Sequence, residues 1–186
     1  MIIGITGTLG AGKGTVVDYL VNKKGFKQFA VSDDFLAGEA VRRGLKPDRI
    51  ARRDIANEYR AKSPIGLMEA VYARGMETAQ EGENIIIDPQ HTAAEVGFIQ
   101  SKGGIEFAVD ADLEKRYERI KMRGGEKDQV TYEQFVKQQT EEMQSTDPNK
   151  NSLSAAIKKA DYLFQNNGTQ EELFKQIEEA LAKISK

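Results

Sequence analysis

Gly7-Thr8-Leu9-Gly10-Ala11-Gly12-Lys13-Gly14-Thr15 decides how this chain is read. It follows Met1-Ile2-Ile3-Gly4-Ile5-Thr6, an apolar and β-branched run suited to a buried strand. Val16, Val17, Leu20 and Val21 come next at three- and four-residue spacing, which predicts a helix. Strand, glycine-rich turn and helix form the context in which such a loop cradles a polyphosphate. The glycines let successive N–H groups converge, and the helix N-terminus adds its positive end. Lys13 brings a full positive charge to the β- and γ-phosphates. Gly10, Ala11, Gly12, Lys13, Gly14 and Thr15 are therefore the expected contacts of a nucleoside triphosphate. A dinucleotide loop needs GxGxxG, whereas Gly10, Gly12 and Gly14 read GxGxG with a lysine inside.

Outward from the loop, strands and helices alternate. Residues 26–31, 84–88, 105–109 and 162–165 are the expected second to fifth strands. Ser32-Asp33-Asp34 offers caps for a helix over 35–43, and 49–61 is a further helical segment. Ser63-Pro64 restarts a helix with proline in its first turn, and Met68, Val71, Tyr72, Met76 and Ala79 mark its buried side. Thr92 opens a helix to 101. Asp112 is placed to cap another, on which Arg116, Arg119 and Arg123 share one face. Thr131 with Gln134, and Thr169 with Glu172, are capping-box patterns for two more. A polar loop from 124 to about 130 and a polar turn over 145–152 flank the first of these.

The pattern predicts an α/β fold: a five-stranded parallel sheet with helices on both faces, in one domain over 1–186. Its core is 1–31, 83–111 and 153–186. An acceptor-side helical insert occupies about 32–82, and a lid region about 112–152. Both follow strand carboxyl ends, where ligands bind in open sheets.

With 39% apolar and 30% charged residues in 186, the composition is that of a soluble domain with a sizeable core. No apolar run reaches the roughly 18 residues of a membrane span, and the N-terminus lacks a signal peptide's basic start. A cytoplasmic location is expected. Zero cysteines exclude disulfides and thiolate metal sites, and one histidine, His91, leaves little for a zinc centre. A net charge of −2 gives no footprint for nucleic acid. The arginines nonetheless bunch in two places, at 42–60 and 116–123, and arginine suits planar phosphate contact.

The string GTLGAGKGT resembles the GxxGxGKGT loop of adenylate kinase and related nucleoside monophosphate kinases. Over nearly its whole length the chain looks like the small phosphate-loop kinases that include adenylate, cytidylate and dephospho-coenzyme A kinase. Val31-Ser32-Asp33-Asp34-Phe35-Leu36 resembles the strand-two end of adenylate kinase, and the run DLEKRYERIKMR at 112–123 its arginine helix before the lid. Residues 160–169 resemble the final strand and turn of dephospho-coenzyme A kinase, which in that family lies close to the adenine ring, so Asn167 and Gly168 join the nucleotide contacts. The resemblance implies a three-layer P-loop kinase fold, ATP as donor, Mg2+ held largely through water and the nucleotide, and a small-molecule acceptor. A monomer or small homo-oligomer is expected, with no nucleic-acid or membrane partner. Three departures stand out. Ala37 occupies an acceptor-arginine position, His91 stands near another, and 124–143 contains no arginine.

Lys13, Arg119, Arg123 and Asp88 are the expected catalytic set, with Thr15 and Asp88 as metal ligands, directly or through water. Asp33, Asp34, Arg53, Arg60 and His91 are the expected acceptor contacts. A phosphate acceptor needs positive clamps and alignment. A hydroxyl acceptor gains from a carboxylate that takes its proton. The insert holds both arginines and Asp33-Asp34, which serve equally well as helix caps. A nucleoside or deoxynucleoside monophosphate is the first expectation. A hydroxyl, as in dephospho-coenzyme A, and a regulatory ATP-hydrolysing module are the alternatives.

Overall fold

Each buried strand carries bulky residues on alternate positions, so one row of side chains reaches each face of the sheet. In the computed structural model, which describes residues 1–125, 130–144 and 152–184, those rows build two cores. Strands β1 (Ile2–Gly7), β2 (Lys27–Ala30), β3 (Ile85–Gln90), β4 (Ile105–Asp110) and β5 (Tyr162–Gln165) form one sheet. Its order is β2-β3-β1-β4-β5 and every pairing is parallel. The strand carrying the glycine loop is thus central.

On one face, Ile3, Ile5, Ile86, Phe107, Val109 and Phe164 pack against α1 (Lys13–Lys24) and α9 (Gln170–Ile184). On the other, Ile85 and Ile87 meet the helices inserted between β2 and β3. These are α2 (Ala37–Arg42), α3 (Arg49–Lys62) and α4 (Gly66–Thr78), joined there by α5 (Ala93–Ser101). Helices α6 (Leu113–Arg123), α7 (Tyr132–Gln144) and α8 (Leu153–Lys159) complete the chain. Phe135 of α7 is fully buried and its ring lies 5.6 Å from that of Tyr117 of α6. Among the described residues no helix is long and apolar enough to cross a membrane.

The α/β class, the parallel sheet and the helices on both faces are as the sequence predicts. Both capping boxes form: Gln134 N–H donates to Thr131 Oγ1 at 3.2 Å and Glu172 N–H to Thr169 Oγ1 at 3.3 Å. Several local expectations need correction. Asp33 and Asp34 do not cap a helix over 35–43; Val31–Leu36 is a π-helical turn that runs straight into α2. The Asp34 carboxylate reaches back instead, accepting the Ala30 N–H at 2.6 Å. Helix α4 starts at Gly66, so Pro64 lies outside it. Met76 is 41% exposed, because α4 turns that edge to solvent. Asp112 makes no side-chain cap to its helix; its carboxylate accepts from Asn167 Nδ2 at 2.9 Å. Parts of the expected polar loop and turn, residues 126–129 and 145–151, lie outside the described residues.

Candidate active site

The loop's shape follows from how closely the backbone of other elements approaches it. A Cβ on Gly7, at φ +144°, would fall 2.1 Å from the Val109 carbonyl oxygen. One on Gly10, at φ +80°, would fall 2.5 Å from that of Arg116. Only glycine fits such approaches at positive φ. Thr8 anchors the rim, donating from Oγ1 to Asp110 Oδ1 at 2.6 Å where β4 ends. Gly12 and Gly14 bracket Lys13 at the start of α1, and Thr15 lies partly exposed in its first turn.

Lys13 folds back over the loop and donates to the carbonyls of Gly7 at 2.8 Å and Thr8 at 2.9 Å. Burial pulls its ammonium down to about 8. Asp88 and Glu142 oppose that shift, while Arg116 and Arg123 add to it. The charges around Lys13 thus come from three elements besides its own: β3, α6 and α7. Glu142 and its neighbour Gln139 lie beyond the reach of sequence reasoning. Burial raises Glu142, with Gln139, Lys13, Arg116 and Arg49 holding it back, so α7 turns a carboxyl toward the phosphate loop.

Arg116 is buried as a wall of the site: Nε donates to Ala111 O at 2.9 Å, and its guanidinium also bonds Gln139 and Leu9 O. Arg119 leans on the last turn, donating to Asn166 O at 2.8 Å and to Ala11 O at 3.5 Å. Arg123 lies near enough to lower Lys13. Arg119 and Arg123 therefore both flank the loop. In the last turn, Asn167 braces the start of α6 by accepting Asp112 N–H at 2.7 Å, with Gly168 beside it. The residue that reaches the loop is Asn166, unforeseen from sequence, whose Nδ2 donates to Ala11 O at 2.7 Å.

Where the insert between β2 and β3 meets the end of β3 lies a cavity of about 640 Å³. Its polar lining is Ser32, Asp48, Arg49, Arg52, Arg53, Arg60 and His91, with Leu36 and Leu67 among the apolar residues. Its size is that of a small-molecule site. Arg52 pairs with Asp33 at 2.5 Å, which places that carboxylate beside Ser32 at the rim. Among the described residues Arg53 pairs only with its neighbour Asp54, at 3.0 Å and largely in solvent. Arg60 is 9% exposed and its Nε donates to Glu95, which is fully buried, at 2.9 Å. The second Glu95 oxygen accepts the His91 N–H at 2.8 Å. Arg42 and Arg43 are not in the cavity; Glu39 holds both, at 2.6 and 2.9 Å.

Asp88, at the end of β3, accepts from Gln28 Nε2 at 2.8 Å. Burial raises its carboxyl, Gln28 and Lys13 pull it down, and Asp34 and Asp33 push it up. His91 is driven down to about 3 by burial, with Arg60 and Lys13 adding to the shift, so its ring is neutral. Among the described residues no three histidine, cysteine or carboxylate side chains converge to hold a metal by themselves.

A family model described as AAA domain matches residues 3–147. A UPF0200 protein of Pyrobaculum aerophilum is 26% identical over 186 residues, 98% of each chain. One from Thermococcus kodakarensis is 26% identical over 193 residues, covering 99% of this chain and 98% of its own. Among solved structures, TT1252 from Thermus thermophilus superposes with a TM-score of 0.60 at 23% identity, covering 98% of this chain and 97% of that one. Shikimate kinase from Aquifex aeolicus gives 0.60 at 18%, over 100% and 98%. Likeness at those identities concerns the fold.

Proposed function

This chain belongs to the AAA domain family, and from that premise we propose that it is an ATP-dependent phosphotransferase acting on a small anionic acceptor. The observation that carries this reading is the arginine-lined cavity, one of whose lining residues, His91, lies within electrostatic reach of Lys13. A hydrolytic switch has no use for a separate arginine-lined pocket of about 640 Å³. In this reading the loop amides and Lys13 hold the β- and γ-phosphates, and Arg119 and Arg123 meet the charge that spreads over the transferring phosphoryl group. Mg2+ carried in with ATP would supply charge neutralisation between the phosphates. Asp88 suits that role through water, since burial leaves its carboxylate wanting a positive partner besides Lys13.

The preferred acceptor is a nucleoside or deoxynucleoside monophosphate. Its phosphate needs positive charge and alignment, which in this reading Arg49 and Arg53 in the cavity lining supply, with Arg60 held behind them by Glu95. A second reading has its own support: Asp88 lies within electrostatic reach of Lys13, Asp34 and Asp33, and a hydroxyl acceptor that must lose a proton needs a carboxylate nearby. Proteins of similar fold include shikimate kinases, which bear on this second reading by analogy alone.

A coupled ADP-release screen separates these readings. It runs ATP and Mg2+ with each ribo- and deoxynucleoside monophosphate, dephospho-coenzyme A and shikimate, against a control without acceptor. Monophosphate-dependent release supports the first reading. Release with only the hydroxyl compounds transfers the assignment to the second. Hydrolysis indifferent to every compound refutes both.

A further inference from the structure

Resting on the kinase reading, we propose that His91 recognises an uncharged hydrogen-bonding group of the acceptor, a hydroxyl or a heterocycle edge, while Arg49 and Arg53 take its anionic group. His91 lines the cavity together with Pro89 and Arg60. Its Nδ1 is sealed from solvent and has no hydrogen-bond partner. Its Nε2 is open and makes no hydrogen bond among the described residues. The backbone on both sides is held: the His91 N–H donates to Glu95 at 2.8 Å and its carbonyl accepts from Ser152 N–H at 3.0 Å. A ring fixed by its main chain, with one nitrogen left to the cavity, is an aimed and unanswered hydrogen-bonding group.

The charges around the ring determine what answers it. Arg60 stands next to it, and Lys13 also lies within electrostatic reach. Together with burial they keep the imidazole from taking a proton, so it adds no charge to the clamp for an anion. Arg60 and Arg52 are already matched by Glu95 and Asp33. Among the described residues Arg49 makes no ion pair or hydrogen bond, and Arg53 has only Asp54. The anionic end of an acceptor is therefore drawn to Arg49 and Arg53, and its neutral polar group to His91. A site that must hydrogen-bond a substrate group rejects analogues lacking it far more strongly than an apolar wall can. His91 is by this argument a specificity residue.

His91 is the chain's one histidine, so its ring can be read without assignment. Long-range 1H–15N spectra of the 15N-labelled full chain at pH 7, with ADP and Mg2+, are recorded against each compound of the screen and against inorganic phosphate. An acceptor that supports ADP release should move Nε2 while the ring stays neutral; inorganic phosphate should leave it in place. His91→Gln, which keeps a hydrogen-bonding head, should preserve acceptor turnover, whereas His91→Phe should raise acceptor KM by about tenfold or more. A turned-over acceptor that leaves the ring signals unmoved, or converts them to imidazolium, overturns the inference and spares the kinase reading. A compound that moves the neutral ring yet is never phosphorylated supports the inference and refutes the kinase reading. A panel in which nothing moves the ring overturns it outright.

Discussion

Replacing Glu95 with alanine tests the wall behind the cavity. Glu95 is fully buried, and its two oxygens serve Arg60 Nε at 2.9 Å and the His91 N–H at 2.8 Å. At 2.9 Å and an effective dielectric constant of about 20, the ion pair attracts by roughly 6 kcal/mol before the cost of desolvating both groups. The net worth of the pair is far smaller, but removing one partner strands the other. A guanidinium left unpaired in the interior costs about 3–5 kcal/mol. The His91 N–H loses its acceptor as well, a further penalty of about 1–3 kcal/mol for a buried donor. Together these give a loss of at least about 4 kcal/mol, a large part of the roughly 5–15 kcal/mol of a typical domain. With a urea m value near 2 kcal/mol/M, the unfolding midpoint should fall by about 2 M or more. Arg60→Met in the Glu95→Leu background should recover at least half of what Glu95→Ala loses, because no lone charge then remains buried. A single-variant loss below about 1 kcal/mol, or a double variant losing the sum of both singles, would refute this account.

Lys13→Ala should fold normally and lower phosphoryl transfer at least about tenfold, roughly 1.4 kcal/mol of barrier, as read by initial rates with saturating acceptor. Arg123→Ala should depress kcat more than ATP affinity, because charge facing the transferring group acts on the transition state; an unchanged kcat in both Arg123→Ala and Arg119→Ala would remove those residues from the catalytic set. Glu106 is buried with neither carboxyl oxygen hydrogen-bonded, and burial first, then Asp161 and Glu95, push it up to about 9. The folded chain then holds a proton that the unfolded chain releases near 4.5, so stability should decline as pH rises from about 4.5 to 9. Glu106→Gln should flatten that decline and gain on the order of 1 kcal/mol or more at pH 8; identical pH–stability curves for variant and parent would exclude it.

What could be read from the sequence was local. The strand–loop–helix at Lys13 and the capping boxes at Thr131 and Thr169 are decided within a few residues, and the structure reproduces them. Some misses were also local and could have been avoided. Glu39 lies three and four residues before Arg42 and Arg43, a spacing that foretells the pairs removing both from the acceptor site. Thr92-Ala93-Ala94-Glu95 is a capping-box pattern too, and it would have pointed to Glu95. The pairing of Glu95 with Arg60 spans 35 residues and depends on where two helices meet, so no periodicity reveals it. Glu142 and Gln139 face the loop through the docking of α7, again a tertiary fact. Asn166 and Asn167 are adjacent and chemically identical, and only the turn decides which reaches Ala11.

That reach has a consequence for how the molecule is made. Asn166 lies 155 residues after the Ala11 carbonyl it holds, on the far side of nearly the whole chain. The loop is therefore synthesised well before the residue that braces it. At about 5–20 residues per second the interval is on the order of ten to thirty seconds. During that time the central strand β1 waits for β3 and β4, and the loop lacks its bond from Asn166. Nucleotide stabilises only what it binds, so it cannot template the nascent chain and acts as a late seal on a finished one.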